Sequence, residues 1–340
     1  MKLVSYLKDD EDRLAIYHDG LVYDTHELDQ DLQDNMQDLL WEGVDAFDAL
    51  KVYDQKIKAG SIEKDKGISV EDISLLSPVP HPTSTRDAYA FRQHVAAARK
   101  NRGVEMIPEF DQFPIFYFTN HNSTYGPGDI ELMKDHMNKL DFELEIAAVI
   151  GKPGMNVPIE EADEYIAGYM VYNDMSARVM QMEEMKLNLG PAKGKDFANA
   201  FGPYFVTPDE LEEYLVPAKE GHTGKSYDLT MKCWVNEKQV SEGNVKDMDW
   251  SFAEIIERVS YGTEIFPGDV IGSGTVGTGC FLELNGTGLR LDPGHTPQWL
   301  QDGDVVEMEI RGLGKLSNTM RLIDPEYSIL AKKKNMETAS

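Results

Sequence analysis

Between residues 141 and 151 the chain reads Asp-Phe-Glu-Leu-Glu-Ile-Ala-Ala-Val-Ile-Gly, three alternating acids followed by an unbroken apolar run. Strand side chains point to opposite faces in turn. A strand over 142–150 therefore sets Asp141, Glu143 and Glu145 on one face, and Phe142, Leu144 and Ile146 on the other. Glu143 and Glu145 would stand about 7 Å apart, a repulsive pair of a residue type that strands disfavour. A solvated outer face is one explanation. Burial is the other, because Ala147-Ala148-Val149-Ile150 is apolar on both faces. Carboxylates carried into such an interior need a cation. A hard divalent ion taking oxygen ligands is the natural partner.

Charge narrows the remaining possibilities. With 60 acidic and 33 basic residues the net charge is −27, which disfavours nucleic acid and anionic membranes as partners. The two cysteines, Cys233 and Cys280, form neither a disulfide framework nor a zinc spacing. The first ten residues do not read as a signal peptide, and no apolar run of about 18 residues spans a bilayer. A soluble, cytoplasmic protein is expected.

The 340 residues suffice for one large domain and a small one. Strand-like alternation up to about residue 25 includes an Asp19-Gly20 hairpin signal. Residues 26–60 read as helical, with Leu28, Leu32, Met36, Leu39 and Leu40 at helical spacing and Gly60 as a stop. Pro78-Val79-Pro80-His81-Pro82 marks a stiff boundary. The expected organisation is a small α/β domain over 1–77, a catalytic domain over 78–325 and a frayed tail over 326–340. In the larger part, Thr85-Arg86-Asp87 reads as the start of a helix reaching Arg102. Short strands follow over 142–150, 166–172, 229–234 and 305–310, so an α+β, mainly β fold is expected.

Several further residues carry candidate chemistry. Asp87 opens the expected helix, Asp174 follows the strand over 166–172, and Glu283 lies in Cys280-Phe281-Leu282-Glu283-Leu284, read as a strand. Taken alone, each also fits an N-cap, a turn or a salt bridge. On one continuous helix, Asp87 and His94 would share a face with backbones about 10 Å apart, a spacing suited to a metal ligand and a base flanking a substrate. Gly272-Ser273-Gly274-Thr275-Val276-Gly277 has the dinucleotide-loop pattern, but 278–284 reads as loop and strand where a helix is required. A nicotinamide cofactor is therefore not expected, and the glycines are assigned to a close backbone approach. The chain contains no Gly-x-Ser-x-Gly elbow, which leaves covalent acyl catalysis without support.

Five segments, in order, resemble the fumarylacetoacetate hydrolase family over roughly residues 78–325. They are Asp87-Ala88-Tyr89 with Arg92-Gln93-His94; Leu140-Asp141-Phe142-Glu143-Leu144-Glu145; Asn173-Asp174-Met175-Ser176-Ala177-Arg178; Leu189-Gly190-Pro191 with Gly194-Lys195-Asp196-Phe197; and Gly268-Asp269 with Ser273-Gly274-Thr275. The resemblance implies a mixed β-roll catalytic domain, a homodimer, and Mg²⁺ or Ca²⁺ held by Asp87, Glu143, Glu145 and Asp174. It implies His94 as general base oriented by Glu283, with Lys195 supporting a developing oxyanion. Tyr89, Tyr117, Gln181 and Thr275 fall where the family contacts substrate.

Some positions depart from the pattern. Met185 replaces a tyrosine expected four residues after Gln181, and Asn199 stands where a threonine is expected. Arg99 and Arg102 both remain candidates for clamping a substrate carboxylate. The implied reaction is metal-dependent hydrolysis of a carbon–carbon bond in a small 1,3-diketo acid. Decarboxylation, dehydration or acylpyruvate cleavage on the same site is the alternative within the family, and a catalytically silent metal-binding scaffold is the alternative outside it.

Overall fold

The computed structural model describes residues 1–334. The amino-terminal alternation forms strands β1 (Lys2–Lys8) and β2 (Glu11–His18). Asp19 and Gly20, at φ 47° and 84°, turn the chain into β3 (Leu21–Asp24), as a tight hairpin requires. The helical reading of 26–60 is broken into pieces. Helices α1 (Met36–Glu42) and α2 (Val44–Lys58) meet at Gly43, whose φ of 76° interrupts the helix. Leu28 closes a separate single turn and Leu32 lies in a bend.

The expected helix start at Thr85-Arg86-Asp87 is overturned. These residues lie in strand β4 (Ser84–Ala88), and helix α3 runs only over Arg92–Asn101. Asp87 and His94 therefore do not share a helix. Strand β5 (Phe116–Thr119) pairs antiparallel with β4. Partners this distant in sequence override a local capping signal. The acidic strand also begins later than expected. β6 is Leu144–Ile150, and the separate piece Leu140–Asp141 pairs with Ser176–Ala177. β7 (Ile166–Asp174) includes Asp174 as its last residue instead of stopping before it. Helix α4 (Arg178–Met185), β8 (Asn199–Val206) and β9 (Asp269–Gly272) follow. Cys280–Leu284 is not a strand: α5 covers Phe281–Leu291, so a helix does follow the glycine loop.

These strands form one sheet in the order β3-β2-β1-β8-β7-β6-β9-β4-β5, and three short strands complete its 12. A second sheet of five strands includes Val305–Ile310 and Gly314–Asp324. β6 lies near the middle of the large sheet, covered on both sides. Leu144, Ile146, Ala148 and Ile150 join the main core, whereas Ala147 and Val149 pack with Leu39, Leu40 and Leu50 of the amino-terminal helices. β1 pairs with β8, so the amino-terminal strands continue the same sheet. The start of the tail is anchored, because Asp135 accepts hydrogen bonds from Ser328, Ile329 and Leu330. Residues 335–340 of the expected tail lie outside the described residues.

Candidate active site

Strand register alone brings distant acids together. Asp87 on β4 stands opposite Gly272 on β9, and Gly272 stands opposite Ala147 on β6. Glu145 lies two residues before Ala147 and faces Tyr172 on β7, two residues before Asp174. Period-two alternation directs these side chains to one face. Glu143 enters from the break before β6. Asp87, Glu143, Glu145 and Asp174 each offer a carboxylate oxygen within 4.8 Å of the others, and all four residues are buried. Asp141, expected on the same face, is diverted elsewhere by that break.

Two glycines make this approach possible. A Cβ at Gly272 would lie 2.6 Å from Asp87 Oδ1 and 3.0 Å from Glu145 Oε2. Gly274 adopts φ 77°, a conformation glycine takes at no steric cost. Its N–H donates to Asp87 Oδ1 at 3.0 Å and Glu145 Oε2 at 2.9 Å. The close approach expected of this loop is thus an approach to carboxylates.

The cluster is electrostatically incomplete. Glu145 Oε1 and Asp174 Oδ1 are buried without a hydrogen-bond partner, an expensive condition for a carboxylate. Burial, followed by repulsion from Asp174, raises Asp87 to about 7. Burial and the Asp87 and Asp174 charges push Glu145 well above the carboxylate range. Burial also raises Asp174. Glu143 goes the other way: the Lys195 and Arg178 charges outweigh its desolvation and bring it to about 2. Lys195 Nζ lies 2.5 Å from both Glu143 Oε2 and Asp174 Oδ2. Orphaned oxygens, raised acids and an all-oxygen donor set fit a hard divalent cation.

The candidate base lies beside the cluster. His94 Nδ1 is 2.6 Å from Glu283 Oε2, and both side chains are buried. Glu283 Oε1 also accepts from the Thr278 N–H at 3.0 Å. The Tyr89 ring meets His94 edge-on at 5.9 Å between centroids. Burial, then the Glu143 charge, pushes the Tyr89 phenol up to about 12. Tyr117 donates to Asp174 Oδ2 at 2.9 Å.

Asp87, Glu143, His94, Glu283, Tyr89 and Tyr117 border one open cavity of ≈ 1070 Å³, together with Gln181, Lys195 and Thr275. Glu145 and Asp174 lie behind that lining. Arg102 borders the cavity too, whereas Arg99 is spent on the Glu105 carbonyl. Met185, at the departed tyrosine position, lines the cavity. Asn199, the other departure, accepts from Tyr172 at 2.6 Å.

Sequence reasoning assigned no role to Arg178, which donates to Asp141, Glu143 and Gln181. A usable signal existed: an arginine four residues after a strand-end Asp, within a largely apolar segment, needs carboxylate partners. Lys139 and Trp299, which also line the cavity, carry no comparable signal.

Known proteins place this arrangement. The family model for fumarylacetoacetate (FAA) hydrolase, C-terminal, matches residues 83–321. The oxaloacetate tautomerase YisK of Bacillus subtilis is 29% identical over 258 residues, covering 74% of each chain. Among solved structures, a fumarylacetoacetate hydrolase from psychrophilic Exiguobacterium antarcticum superposes with TM-score 0.67 and 25% identity, over 95% of this chain and 99% of that one. A maleylpyruvate hydrolase from Sphingobium sp. SYK-6, in complex with manganese (II) ion and pyruvate, shares the fold at TM-score 0.65 and 21% identity, with 95% and 99% coverage. Among the described residues no helix is long and apolar enough to cross a membrane.

Proposed function

The chain belongs to the fumarylacetoacetate hydrolase family, and from that premise we propose that it hydrolyses a carbon–carbon bond in a small 1,3-diketo acid, using a divalent cation. The observation that carries this reading is the buried His94–Glu283 pair bordering the same cavity as the carboxylate cluster. Asp87, Glu143, Glu145 and Asp174 would hold the ion, Mg²⁺ or Ca²⁺. When bound, that ion supplies Lewis-acid polarisation of the substrate's oxygens.

The chain's own residues do the rest. Glu283 accepts the Nδ1–H of His94 and leaves Nε2 free to take a proton. Nε2 removes that proton from water as the water oxygen adds to the carbonyl carbon. The carbon–carbon bond then breaks, its electron pair leaves with the departing carbon, and the proton on His94 returns there. Two N–H groups of Lys195 serve Glu143 and Asp174; the third is available to the oxygen that gains charge. Tyr89, Tyr117, Gln181 and Thr275 orient the substrate.

His94→Ala should lower kcat by about 10²–10⁴ while Mn²⁺ affinity, measured by calorimetry, stays native. An active variant removes the base from this scheme. Similarity to an oxaloacetate tautomerase favours one second reading, in which His94 moves a proton between carbon and oxygen and no bond of the carbon skeleton breaks. Product analysis on an acylpyruvate, a longer diketo acid and oxaloacetate separates the two. Hydrolysis yields two fragments, and tautomerisation leaves the skeleton whole.

A further inference from the structure

We infer that Asp141 is a positioning residue, tying the carboxylate cluster to the His94–Glu283 pair through one buried strut. The inference rests on the proposed function for its catalytic meaning, but its geometry stands apart from any substrate.

Asp141 is fully buried and accepts four hydrogen bonds. Oδ1 takes the N–H of Phe281 at 2.7 Å and its neighbour Phe142 at 3.0 Å. Oδ2 takes the N–H of Leu282 at 2.9 Å and Arg178 Nε at 2.8 Å, and the ion pair brings Arg178 Nη2 to 2.7 Å. Phe281 and Leu282 are the first two residues of α5. Their N–H groups lack partners within the helix, and the helix's own N-cap residue, Cys280, supplies no side-chain bond. Asp141 performs that capping from another part of the chain, and the next residue of α5 is Glu283.

Arg178 completes the connection. While bonded to Asp141, its Nη2 donates to Glu143 Oε1 at 2.7 Å and its Nη1 to Gln181 Oε1 at 2.9 Å. One aspartate thus fixes the helix that aims Glu283 at His94, and one arginine transmits that position to Glu143 and Gln181. The planar fork of Arg178 suits this bridging, because a lysine cannot span three acceptors in fixed geometry. Neither Asp141 nor its two helix contacts borders the cavity except Leu282, so Asp141 acts only through its neighbours.

Asp141→Asn tests this with little change in shape. The amide oxygen can keep the Phe281 N–H, but the NH₂ in the place of Oδ2 then faces the Leu282 N–H and Arg178 Nε, donor against donor. Partners behind a metal ligand typically carry 10–100-fold in affinity or activity. Mn²⁺ affinity of folded D141N should fall about 10–100-fold, and the His94 Nδ1–H proton signal, assigned by its loss in H94Q, should shift. Where turnover is measurable, kcat should fall and KM should hardly move. R178K should match D141N, and the double variant should be no worse than either single, since a broken strut cannot break twice. R178K also keeps the test open if D141N does not fold. Native Mn²⁺ affinity or an unmoved His94 signal in a folded variant overturns the proposal. Absence of any oxo-acid turnover by the native protein would sink the proposed function alone, because the affinity and proton signal are read without substrate.

Discussion

Asp141 and Glu145 are four residues apart, both completely buried and both raised by that burial, yet they are partnered very differently. Asp141 meets two nitrogens of a buried arginine and three backbone N–H groups. Glu145 receives one backbone N–H on Oε2, leaves Oε1 without a partner, and shares its surroundings with two raised acids. Burial and the neighbouring Asp87 and Asp174 charges hold Glu145 well above the carboxylate range. The protein satisfies one carboxylate by itself and leaves the other dependent on an added charge. That contrast separates a structural acid from a site acid where burial alone cannot.

The widest gap should appear in stability. Asp141→Ala leaves Arg178 buried beside an empty position, and breaking a buried pair on one side costs about 3–5 kcal/mol. Urea denaturation of the metal-free protein measures this loss. Glu145→Gln should have the opposite sign, since a neutral amide there removes a carboxylate from beside Asp87 and Asp174. A shared destabilisation of both variants would erase the distinction.

Added metal gives the next effect. A cation at 100 times its Kd stabilises a folded protein by about 2.7 kcal/mol. The native chain should gain that increment with Mn²⁺, followed by thermal denaturation, and E145Q should gain little. An equal gain in E145Q would place the ion elsewhere.

The smallest effect is in pH dependence. Asp87 is raised from its ordinary value to about 7 by burial and then by Asp174, so the folded state holds a proton that the unfolded state releases. Metal-free stability from this group is therefore present at low pH and lost as pH rises from about 4 through about 7. Protons and metal compete for these oxygens, so the stabilisation by Mn²⁺ should grow across the same window. A flat metal increment between pH 5 and pH 8, by thermal denaturation, would contradict the shared site.

The same comparison shows what could be read without coordinates. Glu143 and Glu145 were legible from the apolar run that follows them, which demanded burial and hence a cation; Asp87 and Asp174 were reached only through the family resemblance, and the fold brings their oxygens to the same cluster. Asp141 was misplaced because strict alternation assumed one unbroken strand, and the break at 142–143 sends it to Arg178. The Asp19-Gly20 hairpin was legible because its geometry is local. β4 was not, because its partners Gly272 and Tyr117 lie far along the chain. Helix α5 was hidden by Gly286 and Gly288, poor helix formers, and by a cap supplied from Asp141. Arg178 went unassigned because its three acceptors come together only in the fold.

The central claim is that these four carboxylates are a cation site. A crystal grown with Mn²⁺, measured for anomalous scattering, tests it most directly. The predicted result is one strong peak ringed by oxygens of Asp87, Glu143, Glu145 and Asp174. A peak elsewhere, or none with Glu145 Oε1 still unpartnered at saturating metal, would contradict it.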